Sequence, residues 1–158
     1  MRRKARTLEI GSVSSGTMRS EDLIPTFLWE VKQLRLTRAE RGLVNDIERR
    51  SADNGNANDV ETYWQSELAD WDIDALFDIL GNHVPDYCYF ASHPGDGACY
   101  GVWVDFDGIN EDRHFGEIVD WQNMPTGYTG YAVDVTDHGN VTLFSVSRGR
   151  SRELWSVV

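Results

Sequence analysis

Leu23, Phe27, Val31 and Leu34 recur at helical spacing, with Ile24 and Leu28 beside them. This pattern predicts a helix with one apolar stripe. Ser20 is placed to cap it, and Glu21 and Asp22 suit the positive end of the helix dipole. Pro25 is tolerable because it falls near the first turn. Thr37-Arg-Ala-Glu40 has the form of a capping box, and Leu43, Val44 and Ile47 supply the buried face of a second helix. Ser51–Ala57 reads as a loop and Asn58-Asp-Val-Glu61 as another helix start, with Tyr63, Trp64, Leu68 and Trp71 facing inward. A last helical stretch over Asp72–Leu80 stops at Gly81.

From Asp86 the period changes to that of strands. Tyr87–Ala91, Tyr100–Phe106, Phe115–Trp121, Tyr131–Thr136, Val141–Val146 and Glu153–Val157 are rich in Val and aromatic residues. Pro94-Gly-Asp-Gly97, Asp137-His-Gly-Asn140 and Arg148-Gly-Arg150 are short enough to close hairpins. Thr7–Val13 adds a candidate strand at the front. Consecutive strands without intervening helices predict an α+β fold, with N-terminal helices on one face of an antiparallel meander of five to six strands. The expected organisation is one domain over 1–158: a disordered basic tail at 1–6, a mainly helical half at 7–84 and a mainly β half at 85–158.

Composition supports a folded chain. Of 158 residues, 41% are hydrophobic and 11% aromatic, enough for a real core. No stretch approaches the roughly twenty apolar residues of a membrane span. The basic start from Arg2 to Arg6 lacks the apolar run that a signal peptide requires. Two cysteines, Cys88 and Cys99, do not make a disulfide framework, so a cytoplasmic location is expected.

Charge changes the picture most. Asp53–Asp137 carries eighteen acidic residues and one basic residue, Arg113. The local charge there is -17, flanked by segments of +4 and +2, against -11 for the whole chain. Such a surface repels nucleic acid and anionic membrane and steers basic protein surfaces toward itself. Direct nucleic-acid binding and membrane association are therefore not expected.

Glu67, Asp70, Asp74 and Asp78 are spaced three, four and four apart, which puts them on one face of a continuous helix. Asp59 and Asp72 add charge nearby, with no Lys or Arg expected to offset them. The competing reading is a solvated face broken at residues 70–72. A second acidic group is Asp105, Asp107, Glu111 and Asp112, read as a hairpin turn. Its Asp-x-Asp-Gly start resembles a calcium loop, but Trp103 stands where a further oxygen ligand would be needed. His83, Cys88, His93 and Cys99 lack the paired spacing of zinc ligands. No metal or cofactor is expected. Ser92-His-Pro-Gly-Asp-Gly97 brings His93 and Asp96 close enough for general acid–base work, although no nucleophile elbow or phosphate loop accompanies them.

Gly16-Thr-Met-Arg-Ser-Glu-Asp-Leu-Ile-Pro-Thr-Phe27, Tyr89-Phe-Ala-Ser-His-Pro-Gly-Asp-Gly97 and Asp137-His-Gly-Asn-Val-Thr-Leu-Phe144, with the ending Glu153-Leu-Trp-Ser-Val-Val158, together resemble small uncharacterised acidic proteins of bacteriophages and other mobile genetic elements. The resemblance spans most of the chain and carries no catalytic residues. It implies an inhibitor of host nucleic-acid machinery, of the anti-CRISPR or anti-restriction kind. The expectation is thus a non-enzymatic protein that docks on a basic, nucleic-acid-binding host protein through the two acidic groups, with Trp64, Trp71 or Trp103 as an anchor where a ring is exposed. A small hydrolase working at His93 and Asp96 is the alternative, and a virion or structural component is the third reading.

Overall fold

The structure, a computed structural model, describes residues 7–53 and 62–158. The basic tail expected at 1–6 and the helix start expected at Asn58–Glu61 lie outside the described residues. The fold is α+β, with four α-helices among the described residues, and the chain divides into two compact units. One is Met1–Val84 with Cys88–Trp103, and the other is Pro85–Tyr87 with Val104–Val158.

The first unit holds β1 (Gly11–Ser14), α1 (Ser20–Val31), α2 (Arg38–Ala52), a 3-10 turn (Tyr63–Gln65), α3 (Glu67–Gly81), β2 (Cys88–His93) and β3 (Asp96–Val104). α1 buries Leu23, Ile24, Phe27, Leu28 and Val31, the stripe its sequence predicts. Phe27 is completely buried and meets Phe77 of α3, Phe90 of β2 and Tyr100 of β3 edge-on at 5.7–6.0 Å. Burying such a ring is worth about 1.5–3 kcal/mol, and the edge-on contacts add to that. Thr37 caps α2 through the expected box: its hydroxyl accepts from the Glu40 N–H, and the Glu40 carboxylate accepts from the Thr37 N–H at 2.7 Å. The cap of α1 differs from expectation. Arg19 is the N-cap residue and Ser20 is already helical, while Thr17 donates to Asp22.

The sheet of this unit has the order β1-β3-β2. β1 lies antiparallel on β3 with Ser12 opposite Gly101, and Pro94-Gly95 turns β2 into β3. The backbones approach so closely at Gly101 that a side chain there would meet the Gly11 carbonyl.

The second unit contains α4 (Phe106–Phe115), β4 (Ile118–Asp120), β5 (Gly130–Val135), β6 (Val141–Ser147) and β7 (Arg150–Val157), with strand order β4-β5-β6-β7. Ile109, Ile118, Val133, Leu143, Val146 and Trp155 are buried in it. Two expectations are corrected here. Among the described residues the strands form two sheets, of three and four strands, instead of one meander, and β4 runs parallel to β5. In addition, Asp105–Asp112 is not a hairpin turn. Asp105 caps a helix by accepting from the Gly108 N–H at 2.9 Å, and left-handed Gly116 (φ 78°) ends it, shortening the expected Phe115–Trp121 strand to Ile118–Asp120.

Candidate functional site

α3 is continuous from Glu67 to Gly81, with no break at residues 70–72. Glu67, Asp70, Asp74 and Asp78 are all exposed. At about 100° of rotation per residue, Asp74, Glu67 and Asp78 stack along one line and Asp70 flanks it. Trp71 falls within about 60° of that line. Its ring is 64% exposed, and Leu68 beside it is also exposed. The inward placement expected for these two residues is therefore corrected, whereas Tyr63 and Trp64 are half-buried and pack against the core. The opposite side of α3 carries Ala69, Leu76, Ile79 and Leu80 into the core, so burial of those four turns Trp71 outward among the carboxylates.

Asp72 helps to set that rotation. It is buried, and Arg50 of α2 grips it with Nε to Oδ2 at 2.9 Å and Nη2 to Oδ1 at 2.5 Å. Tyr63 donates to the same carboxylate at 2.8 Å. Burial first, and then this bond, push the Tyr63 hydroxyl well above the ordinary tyrosine range. The expectation that nothing offsets Asp72 is overturned, because an arginine 22 positions earlier in sequence does so. The outward face keeps its four carboxylates, none of which forms an ion pair with another described residue.

The second acidic group sits on α4, in the other unit. Asp107 and Glu111 are exposed, Asp105 is spent as the helix cap, and half-buried Asp112 accepts from the Tyr87 hydroxyl. Tyr87 is pushed far up, chiefly by burial and then by that bond. Two of the four candidates thus have structural partners. Trp103, the third candidate anchor, is half-buried and donates its indole N–H to the Ala91 carbonyl at 2.9 Å.

His93 ends β2, where its Nδ1 accepts the Gly95 N–H at 3.0 Å and its ring meets Trp103 edge-on at 4.8 Å. Asp96 begins β3 and accepts the Ala98 N–H at 3.0 Å. Each side chain is engaged with its own turn, and both are exposed. Of the two cysteines and two histidines considered for zinc, Cys99 lies 3.3 Å from the Ser12 hydroxyl and His83 lies 3.2 Å from Glu40. Among the described residues, no group of three or more His, Cys, Asp or Glu converges as a metal site, and no helix is long and apolar enough to cross a membrane.

A separate cavity of about 200 Å³ opens in the second unit beside the ends of β4 and β5. Sequence reasoning missed it, because it depends on the parallel pairing of those two strands. No protein-family model, curated protein or solved structure matches the chain.

Proposed function

We propose that this is a non-enzymatic acidic binding protein of phage or mobile-element type, acting in the host cytoplasm. It docks on a basic, nucleic-acid-binding host protein and competes with nucleic acid, as an anti-CRISPR or anti-restriction inhibitor does. The observation that carries this reading is the outward face of α3, with four exposed carboxylates beside an exposed tryptophan. Along the axis the carboxylates recur every 4.5–6 Å or so. That is of the same order as the roughly 3.4 Å axial repeat of phosphates on one duplex strand. Carboxylates in this row meet lysines and arginines that would otherwise hold phosphate, and Trp71 supplies the desolvated centre that such an interface needs. Asp107 and Glu111 of α4 are a second exposed acidic pair, on the other unit.

The test is affinity capture from bacterial lysate at two salt concentrations, using the wild type and the Asp74→Lys/Asp78→Lys variant. The expected result is salt-sensitive capture of a nucleic-acid-binding protein, lost in the variant and displaced by added DNA or RNA. Capture unaffected by the two substitutions, or undiminished by nucleic acid, overturns the reading.

A further inference from the structure

The cavity in the second unit lies at the carboxyl end of β4, beside the last three residues of β5. Asp120 closes β4, Asp134 and Val135 close β5, and the 3-10 turn Trp121–Asn123 follows Asp120 directly. At about 200 Å³ the cavity is smaller than the roughly 300–1,000 Å³ of pockets for drug-sized molecules, so it suits one chemical group.

Its charge decides which group. Arg113, the single basic residue of the acidic stretch, lines this cavity and is tied to Asp120, Nη2 to Oδ1 at 2.5 Å. Arg113 and Asp120 cancel, and Asp134, which has no ion-pair partner among the described residues, leaves the cavity net negative. An anion would face two carboxylates with its one cation already engaged. The remaining lining is Val133, Val135, the side-chain amides of Gln122 and Asn123, each able to accept as well as donate, and Trp121, which stacks on Phe144 at 4.2 Å and is thereby held in place. A planar cation with several N–H donors pairs with a carboxylate in two-pronged fashion, bonds amide oxygens and stacks on indole, which matches Asp134, Gln122, Asn123 and Trp121.

We propose that this cavity is a guanidinium-binding site, with Asp134 as its charged acceptor and Arg113 as a resident cation that neutralises Asp120. The site belongs to a different unit from α3 and does not depend on the docking reading. A guanidinium can come from a free small molecule or from an arginine side chain of a protein, and both carry the same chemistry.

The probe is agmatine, titrated into the intact protein while the Trp121 indole and the Gln122 and Asn123 side-chain amides are followed by NMR. Saturable shifts confined to these groups are expected. Asp134→Asn should weaken agmatine at least fivefold. Arg113→Gln should tighten it, since it removes the competing cation, whereas a merely structural Arg113 would leave the affinity unchanged or lower. Inorganic phosphate should not saturate the site. Blocked arginine amide and free arginine separate the two sources: equal binding points to a protein side chain, and a tenfold preference for the free amino acid points to a small molecule. Absence of saturable shifts with agmatine, indifference to Asp134→Asn, or saturation by phosphate at the same resonances overturns the assignment. Backbone spectra of both variants that match the wild type away from the cavity establish that they are folded.

Discussion

Arg50 of α2 closes a two-pronged ion pair on Asp72 of α3, and Asp72 is only 3% exposed. The pair fastens the acidic helix to its neighbour in one rotational setting. Breaking it by Arg50→Ala leaves a buried carboxylate with only the Tyr63 hydroxyl, at an expected cost of about 3–5 kcal/mol. Asp72→Ala should cost less, because the Arg50 side chain is 33% exposed and can turn toward water. Replacing both, as Arg50→Met with Asp72→Leu, should be milder than Arg50→Ala alone. Urea unfolding followed by circular dichroism measures all three. A loss below about 1 kcal/mol for Arg50→Ala would show that the pair contributes little.

Gly101 makes a sharper structural prediction. A Cβ at this position would lie 2.3 Å from the Gly11 carbonyl and 2.9 Å from the Ser12 Cα, and neither backbone atom can rotate away. Gly101→Ala should therefore cost about 1–3 kcal/mol and separate β1 from β3, raising amide exchange there. Gly97→Ala on the same strand meets nothing within 4 Å and serves as the control. Equal stability of the two variants would refute the close approach.

How much of this was legible in the sequence depended on whether the signal was local. The Thr37–Glu40 box and the stripe from Leu23 to Val31 are determined by neighbours three and four residues away, and both hold. α4 was also written locally, in the Asp105 cap, in Arg113 and His114 of the last turn and in Gly116 beyond it. Its Asp-x-Asp-Gly start resembles a turn, which hid it. The parallel pairing of β4 with β5 and the Arg50–Asp72 pair join positions far apart in sequence, and no spacing rule reveals them. Trp71 lay between the two kinds of signal. Its aromatic character argued for burial, while its helical register with Glu67, Asp74 and Asp78 argued for exposure, and the register prevailed.

Stability should fall at high pH. The Tyr63, Tyr87 and Tyr131 hydroxyls donate to Asp72, Asp112 and Asp86, and all three are raised above the ordinary tyrosine value. Burial is the main cause for Tyr63 and Tyr87, and the bond to Asp86 is the main cause for Tyr131. A hydroxyl that ionises less readily when folded contributes its stability below the unfolded value, near 10, and loses it as pH climbs toward the folded value. Urea midpoints should drop between about pH 9 and about pH 11. The drop should be smaller in the Tyr63→Phe/Tyr87→Phe/Tyr131→Phe variant, and an equally steep loss in that variant would count against these pairs as the cause.

On the proposed docking reading the face of α3 has two physical roles, which kinetics can separate. Carboxylates at Glu67, Asp70, Asp74 and Asp78 act over distance, so Asp74→Lys with Asp78→Lys should mainly slow association with a cationic partner. That effect should shrink as salt rises, because the screening length falls from about 10 Å at 0.1 M to roughly 3 Å at 1 M. The same change relieves like-charge repulsion between residues four apart, so stability should stay equal or rise by a few tenths of a kcal/mol. Trp71 acts only on contact. Trp71→Ala should leave association near the wild-type rate and speed dissociation at every salt concentration, with little effect on stability, because most of the ring already faces water. Surface plasmon resonance on the captured partner reads both rates. If the Lys variant associates as fast as the wild type at low salt, and Trp71→Ala dissociates no faster, this face of α3 takes no part in docking.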